Sequence, residues 1–530
     1  MTSLPRTSTL LTGLLWALVL FASFYNLSNW PTIWWDEAIF SETAANLAQK
    51  GRYAFTLQSP EVINDFDYRI SAGPVLIVPV ALAYRLFGVS VLSGRLVAGL
   101  FLVLTLVLLY LCARRLLARG PALLAVLLGL LTTDILYWGR SVLGDVPALA
   151  CFFGGMYWLL RGWQERRRGP FFWAGLCLGL AVGAKEFYGF TIIMALAALV
   201  WEERRHLRGL VWHSGLLLLG AALPLGVYLA AKAMVLGGLL PALSHFYFQK
   251  KLLCHEFFTP LTIGRLYPES GAYLLSHPLF VSGILGFWLY QRRQGASLAW
   301  GYWLANFVAW SLFYITAVYW HRFALPALLL ASPWAAYFLV ALVDAACQKA
   351  SVGHPRRGWL QAWGVLLPLA MLFPLSGIYN LQLVLSRCTD SPYKMVEYLR
   401  QHIPENVLIE TPEYELTFLD DGHRFHLMPE FYFVESIGDQ IVLSDPTQCS
   451  YDFKRVRAEL LVLGSFGKSV FRQNYPPAEI DKIYRKIATI DYYDVYLRRD
   501  LSLGSLAQAA PPAKLCPAPL LQERPGLTAN

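Results

Sequence analysis

Two adjacent acidic residues, Asp36 and Glu37, follow the Trp-rich segment 29–35 just after the first hydrophobic stretch of the chain. Ionisable groups at the edge of a membrane are expensive, so two adjacent carboxylates where a membrane helix meets water suggest a reaction carried out at the bilayer surface. The alternative is a pair of solvated loop acids inside an aromatic belt, since tryptophans are typical of membrane interfaces. The pair alone leaves both interpretations open.

Further ionisable residues are predicted to lie on the same side of the membrane. Asp67 and Arg69 share the first outer loop with the acidic pair, and the others lie at the ends of predicted hydrophobic spans: Arg140, Asp145, Lys185, His321 and Arg322. Acids and bases near membrane depth are expensive, so a group of them on one face predicts a functional site. Each residue also has a structural interpretation. Asp145, two residues before Pro147, is placed as the N-cap of the next helix. Lys185 and Arg322 could snorkel to lipid head groups, and His321 could be an ordinary interface histidine.

The composition predicts a polytopic membrane protein. The chain has 530 residues, of which 56% are hydrophobic and 15% charged, and its mean hydropathy is +0.45. The net charge of +9 is explained by topology rather than by nucleic acid, because the basic residues fall in clusters that fit cytoplasmic loops. These clusters are 114–119, 161–168, 204–208, 292–293 and 349–357.

The hydrophobic segments predict about eleven transmembrane helices. A span needs about 20 apolar residues, and the candidates are 10–26, 93–112, 121–138, 147–162, 171–185, 187–201, 209–231, 276–290, 299–317, 323–343 and 359–380. The first, after Arg6, is interpreted as a retained signal anchor. Residues 38–48, with apolar residues on one side, are predicted to be an interfacial helix. The segment 73–87 is also predicted to be interfacial, because a further span there would place every later basic cluster on the outer side of the membrane.

The spans divide the chain into three parts. Residues 1–380 form the predicted transmembrane domain, whose first outer loop (28–92) carries the acidic motif. Residues 381–500 have a soluble composition and are predicted to be a small extracytoplasmic α/β domain, with helices at 393–403 and 478–487 and strands at 406–410, 459–463 and 492–497. Residues 501–530 are predicted to be a disordered tail. The predicted location is the plasma (inner) membrane, with the acidic motif and the α/β domain outside.

The cysteines are scattered and no CxxC occurs, so no ligand spacing requires a metal, although a divalent cation stays open as a cofactor. Cys388 and Cys449 could form a disulfide in an oxidising compartment.

The ordered motifs resemble the GT-C membrane glycosyltransferases, in particular the dolichyl-phosphate-mannose protein mannosyltransferase and aminoarabinose transferase branch. The resemblance covers nearly the whole chain and rests on these motifs: Trp34-Trp35-Asp36-Glu37, the segment 67–74, Gly139-Arg140-Ser141 with Asp145-Val146-Pro147, Ala184-Lys185-Glu186, and the segment 321–326.

This resemblance implies a sugar donor carried on a polyprenyl phosphate and an inverting transfer to a hydroxyl group at the outer face. Asp36 would be the base, and Glu37 would orient a cation or a substrate hydroxyl. Arg140, Lys185 and Arg322 would stabilise the phosphate leaving group, with a hydrogen bond from His321. The implied partners are the lipid-linked donor, membrane lipids and an acceptor that is a protein, a lipid or a polysaccharide.

Two departures from the family leave the acceptor open. The segment 68–74 lacks the Glu-Lys-Pro motif of the aminoarabinose branch, and no MIR-type repeat follows Cys388. Two other classes compete with an enzyme. A lipid or solute transporter or flippase should have ionisable residues in mid-helix, whereas here they lie at helix ends. An inactive assembly subunit would tolerate Asp36→Asn.

Overall fold

The computed structural model describes residues 5–58, 62–67, 69–245, 268–295, 297–316, 320–351, 377–386, 390–427, 452–469, 471–472 and 474–506. Most of the last predicted span (359–380), both Cys388 and Cys449, and the tail from 507 lie outside these residues. The chain divides into two compact units. One contains residues 1–33, 44–51 and 70–388, and the other contains residues 34–43, 52–69 and 389–530.

The first unit is helical. Its helices are α1 (Pro5–Phe24), the second half of α2 (Trp35–Lys50), α3 (Pro74–Phe87), α4 (Val91–Arg114), α5 (Arg119–Thr132), α6 (Ile135–Gly139), α7 (Asp145–Glu165), α8 (Gly169–Ala184), α9 (Gly189–Glu203), α10 (Leu207–Val235), α11 (Pro268–Ser276), α12 (Pro278–Gln294), α13 (Leu298–Thr316) and α14 (Leu325–Ser351). Short 3₁₀ turns at Glu186–Tyr188 and His321–Ala324 precede α9 and α14, and residues 377–385 are also helical.

Local sequence signals set several helix ends. Pro74, Pro170 and Pro278 lie in the first turns of their helices, where a missing N–H costs nothing. The Ser90 hydroxyl accepts the N–H of Ser93 and caps α4. Gly88 ends α3 with a φ of 84°.

The core of this unit is formed by apolar side chains and by close helix contacts at small residues. A Cβ on Gly175 would lie 1.9 Å from the carbonyl oxygen of Leu217, and one on Gly220 would lie 2.2 Å from that of Phe172. These glycines therefore let α8 and α10 approach closely, as small residues do between membrane helices.

Among the described residues, three helical segments are long and apolar enough to cross a membrane: Val91–Arg114, Leu207–Val235 and His321–Ala345. The pair α11 and α12, bent by 70°, adds a fourth if it forms one span. Other apolar helices are shorter, so the expected number of about eleven spans stays a prediction. Within the predicted interfacial segment 73–87, residues Pro74–Phe87 form the 14-residue helix α3. The exposed side of α3 is apolar, with Val78, Leu82 and Leu86 each at least half exposed.

The second unit is built on a seven-stranded sheet. Its strands are β1 (Ala54–Gln58), β2 (Val62–Asp65), β3 (Leu408–Thr411), β4 (Arg424–Leu427), β5 (Leu460–Leu463), β6 (Tyr484–Ile490) and β7 (Tyr493–Arg498), in the order β2-β1-β4-β3-β5-β7-β6. The central pairs β4–β3 and β3–β5 are parallel, and the outer pairs are antiparallel. Helix Ser391–His402 contributes Met395 and Leu399 to the core of this unit.

This sheet differs from the sequence-based division in two ways. The hairpin β1–β2 comes from the first outer loop, which was assigned to the transmembrane domain, yet β1 pairs with β4 at Gln58 and His426. The helix expected at 478–487 ends at Ile483, and Tyr484 begins β6 because these residues pair with β7 along its length.

Candidate functional site

The acidic pair lies in the first turn of α2, within the second unit. Asp36 is 7% exposed and Glu37 is 1% exposed. The free N–H groups and the dipole at a helix N-terminus favour negative charge there, which offsets part of the cost of burying two carboxylates. Consecutive helical residues point about 100° apart, so the two carboxylates face different directions and can serve different roles.

Trp35, the first residue of α2, is held by aromatic rings of the same unit. Its ring stacks on Tyr414, with centroids 4.9 Å apart and planes inclined by 12°, and on Phe466 at 5.6 Å and 23°. Phe471 contacts it at 6.2 Å. We call the rings of Tyr414, Phe466 and Phe471 the aromatic slot.

The predicted binding residues Asp67 and Arg69 interact with each other. An Asp67 carboxylate oxygen accepts the backbone N–H of Arg69 at 2.9 Å, and the two side chains are 3.7 Å apart and both 3% exposed. The Arg69 guanidinium lies over Phe55 at 5.3 Å and over Tyr414 at 5.8 Å. Arg69 therefore packs the β1–β2 hairpin against the residues that follow β3.

The segment after β3 carries acids that the sequence reasoning missed. Glu413 is buried and accepts N–H groups of Gly464, Phe466 and Gly467 at 2.8, 3.3 and 2.7 Å. Glu415 accepts the Tyr493 hydroxyl at 2.7 Å. Burial and the charge of Glu415 raise the pKa of Glu413 to about 8, although the three N–H donors oppose the shift. Burial raises the pKa of Glu415 to about 7.

A second network is centred on Glu410 in strand β3. The buried Glu410 carboxylate accepts the Tyr475 hydroxyl at 2.7 Å and contacts Nδ1 of His426 at 2.5 Å. Burial alone would lower the pKa of His426, but the charge and hydrogen bond of Glu410 raise it. The sequence did contain a signal for these networks: Glu410, Glu413 and Glu415 lie in or just after a segment that is typical of a buried strand. Acids in such a segment need hydrogen-bond partners, so they indicate a buried polar network.

In the helical unit, Arg140 is fully buried and contacts the end of α1. Its guanidinium donates hydrogen bonds to the carbonyl oxygens of Ala22, Tyr25 and Trp30 at 2.5 to 3.1 Å, and it lies 4.9 Å from the Trp30 ring. Arg95 donates similarly to Leu27 at 2.8 Å. Arg140 thus supplies a donor to the Ala22 carbonyl, one of those that the C-terminus of α1 leaves without an intrahelical donor, and ties the following residues Tyr25 and Trp30 to it.

Lys185 lies where three chain segments pack tightly. Its ammonium group donates to the Ser71 hydroxyl at 3.3 Å, and the Gly73 N–H donates to the Ala184 carbonyl at 3.0 Å. A Cβ on Gly144 would lie 3.2 Å from Cε of Lys185.

Asp145 is the first residue of α7 and Gly144 is its N-cap, so the predicted N-cap at Asp145 is off by one position. Asp145 is buried in the first turn, where the helix dipole still favours its charge.

His321 and Arg322 lie together in the 3₁₀ turn before α14. Nδ1 of His321 is 3.3 Å from an Asp134 carboxylate oxygen, and the ring stacks on Tyr273 at 4.3 Å. The Arg322 guanidinium is buried over the rings of Trp320, Phe323 and Trp138 at 4.4, 5.2 and 5.8 Å. Asp134 was missed because nothing in the sequence links it to His321.

The predicted residues therefore form local groups. Asp36 and Glu37 belong to one unit with Asp67 and Arg69, while Lys185 and the His321–Arg322 pair belong to the other. In the described part of the chain, no three His, Cys, Asp or Glu residues are grouped as metal ligands.

One family model and one curated protein match parts of the chain. Residues 71–228 match the family described as dolichyl-phosphate-mannose-protein mannosyltransferase, a range that includes Arg140, Asp145 and Lys185 but not Asp36. A protein of Aquifex aeolicus (strain VF5) that is described as uncharacterized is 29% identical over 177 residues. That match covers 33% of this chain and spans only about a third (34%) of the relative's length.

Solved structures share the fold along most of the chain. ArnT from Cupriavidus metallidurans bound to undecaprenyl phosphate has a TM-score of 0.57 at 14% identity, covering 93% of this chain and 98% of that one. The Archaeoglobus fulgidus oligosaccharyltransferase in the apo form has a TM-score of 0.60 at 12% identity, covering 86% and 70%. AglB from the same organism, in complex with an inhibitory peptide and a dolichol-phosphate, has a TM-score of 0.55 at 13% identity. That match covers 93% of this chain and 74% of AglB.

These findings confirm the expected resemblance to GT-C membrane glycosyltransferases of the mannosyltransferase and ArnT type. The chain is a mainly helical membrane protein of that fold with a small sheet-containing region.

Proposed function

We propose that the protein is an inverting glycosyltransferase that moves a sugar from a polyprenyl-phosphate donor to a hydroxyl acceptor at the outer face of the plasma membrane. The observation that carries this proposal is the burial of Asp36 and Glu37 at the start of α2 in a chain with the GT-C fold. Two neighbouring carboxylates removed from water are expensive, and such groups are concentrated at functional sites.

In this reaction the acceptor oxygen attacks the anomeric carbon of the donor sugar. The bond between that carbon and the phosphate oxygen breaks, and the lipid phosphate leaves with the bonding electrons. Asp36 takes the proton from the acceptor hydroxyl, and attack from the face opposite the phosphate inverts the anomeric centre. Glu37 points elsewhere on the helix and orients a cation or a substrate hydroxyl.

Negative charge grows on the phosphate as it leaves, so a fixed cation there lowers the barrier more than it stabilises the bound donor. Lys185 and Arg322 are the proposed cations, and His321, oriented by Asp134, donates a hydrogen bond. We leave Arg140 out of this group, since its guanidinium is occupied by three carbonyl groups. Asp145 is proposed to set the local charge near Lys185.

Asp67 and Arg69 are proposed to shape the site indirectly, because they are buried and paired with each other. The described relatives leave the sugar and the acceptor open: a protein, a lipid and a polysaccharide all offer suitable hydroxyl groups.

The test is sugar transfer in vesicles that contain the purified protein, a panel of polyprenyl-phosphate sugars and cell-envelope acceptors. Asp36→Asn should reduce the transfer rate by about 10²-fold or more, the usual range for loss of a general base, with normal membrane insertion. Asp421→Asn is the matched control, because its side chain is fully exposed in the other part of the same unit. Unchanged transfer in Asp36→Asn would remove the base assignment, and no transfer by the unmodified protein with any donor would reject the proposed function.

A further inference from the structure

The aromatic slot connects the C-terminal residues to the acidic pair within one compact unit. Trp35 is 6% exposed, and its indole stacks on Tyr414 and Phe466. Asp36 and Glu37 follow it directly in the first turn of α2. Within one helical turn the Cα–Cβ directions are fixed relative to one another, so the contacts that hold the Trp35 ring also help to set the directions in which the Asp36 and Glu37 side chains leave the helix.

One buried carboxylate sets the width of the slot. Glu413 immediately precedes Tyr414, and it accepts the N–H groups of Gly464, Phe466 and Gly467. It therefore ties the segment carrying one stacking ring to the segment carrying the other. Both Glu413 oxygens accept, Oε1 from Gly464 and Gly467 and Oε2 from Phe466, and glutamine would put an NH2 donor in place of one of these acceptors.

The loop that carries Phe466 packs tightly against Glu413 and Tyr493. A Cβ on Gly464 would lie 2.6 Å from the Tyr493 ring and 2.8 Å from the Glu413 carboxyl carbon. On the other side, the Tyr493 hydroxyl donates to Glu415, the residue after Tyr414. The loop 464–467 and the segment 413–415 are thus locked together at several points.

We propose that Trp35, Tyr414 and Glu413 are positioning residues, through which the C-terminal part of the chain fixes the orientation of Asp36. This inference rests on the proposed function, since it assigns a purpose to the direction of that carboxylate. It also gives a purpose to the burial of an aromatic residue at the start of α2 in the aromatic slot. A misplacement of about 1 Å at a reacting group can cost about 10²-fold in rate.

The first measurement needs no sugar transfer. Hydrogen–deuterium exchange of the full chain in lipid nanodiscs is compared for Glu413→Gln and for the control Glu397→Gln, an exposed residue of the same unit. We expect residues 35–43 to exchange faster in Glu413→Gln, with helix Ser391–His402 unchanged. Equal exchange at 35–43 in the two variants overturns the link between Glu413 and α2.

The second measurement is a double-mutant cycle on the transfer rate. Trp35→Leu should lower kcat about 10-fold to 10²-fold with the donor KM within about twofold, and Trp35→Phe should keep most of the activity because it retains a stacking ring. If Trp35 acts through Asp36, adding Trp35→Leu to Asp36→Asn causes no further loss.

The outcomes separate the two proposals. Losses that multiply in the double variant, or a donor KM that rises with unchanged kcat, overturn the positioning role while leaving Asp36 as the base. An unmodified protein that transfers no sugar rejects the proposed function, and the exchange measurement then still decides whether Glu413 holds the start of α2.

Discussion

Arg140→Ala is expected to destabilise the helical unit rather than weaken donor binding. In the structure the Arg140 guanidinium supplies three hydrogen bonds to carbonyl oxygens at and after the end of α1, and it lies over the Trp30 ring. Alanine would leave these buried carbonyls without donors. Each buried carbonyl group left without a donor costs about 1–3 kcal/mol, and the loss of three is partly offset because the guanidinium is no longer buried, so we expect a net destabilisation of about 3–5 kcal/mol.

The measurement is the thermal unfolding of the full chain in detergent, together with the donor KM. Arg119→Ala is the control, because Arg119 also reaches α1, with one hydrogen bond to Thr12 from an exposed position. We expect it to cost less than about 1 kcal/mol. Arg140→Lys should fall between the two, since an ammonium group keeps the charge but lacks the fork that spans three carbonyls.

A specific result would refute this reasoning. If Arg140→Ala unfolds at the temperature of the unmodified protein and its donor KM rises at least about 10-fold, Arg140 binds the phosphate as the family resemblance implied. A loss of stability with an unchanged donor KM in the surviving fraction supports the structural role.

Three further predictions use other parts of the chain. Gly73→Ala should lower transfer and stability, since its Cβ would lie 2.0 Å from the Gly183 carbonyl beside Lys185, whereas Gly271→Ala, with open space around it, should be neutral in both assays. The unfolding temperature should fall as pH rises from about 4.5 to about 8, because Glu413 and Glu415 have raised pKa values in the folded protein and keep protons that the unfolded chain releases. Glu415→Gln should make the unfolding temperature less dependent on pH. A pH profile of this variant that runs parallel to that of the unmodified protein would show that the two acids do not cause the dependence. Asp134→Asn should raise the donor KM through His321, and an unchanged KM would separate that contact from donor binding.

The sequence predicted elements whose signals are local. The helix at 393–403 was found at Ser391–His402, since Met395, Val396 and Leu399 repeat at helical spacing and are all buried. The strand at 459–463 was found as β5, because an unbroken apolar run fits a strand covered on both faces. The helix 38–48 lies within α2, which begins three residues earlier.

Features that depend on distant residues could not be predicted in this way. The β1–β2 hairpin joins a sheet whose other strands begin at residue 408, and nothing within residues 54–65 identifies that partner. Residues 484–487 repeat in part like a helix, yet pairing with β7 outweighs that local preference. Arg140 was expected to bind phosphate because its sequence neighbours match the family motif, and nothing near it in the sequence identifies the carbonyl groups at and after the end of α1 to which it donates.

The acidic pair illustrates the same division between chemistry and support. Its residue types and its place after the first hydrophobic stretch suffice to suggest a functional site, because those are local properties, and the family resemblance adds the proposed role of Asp36 as a base. What holds a base in one orientation is packing, and here the packing comes from Tyr414 and Phe466, which are joined by Glu413. Substitutions near residue 413 should therefore resemble active-site substitutions in kcat even though they touch no substrate. If variants were classified by sequence motif alone, substitutions near residue 413 would be counted as remote from the active site.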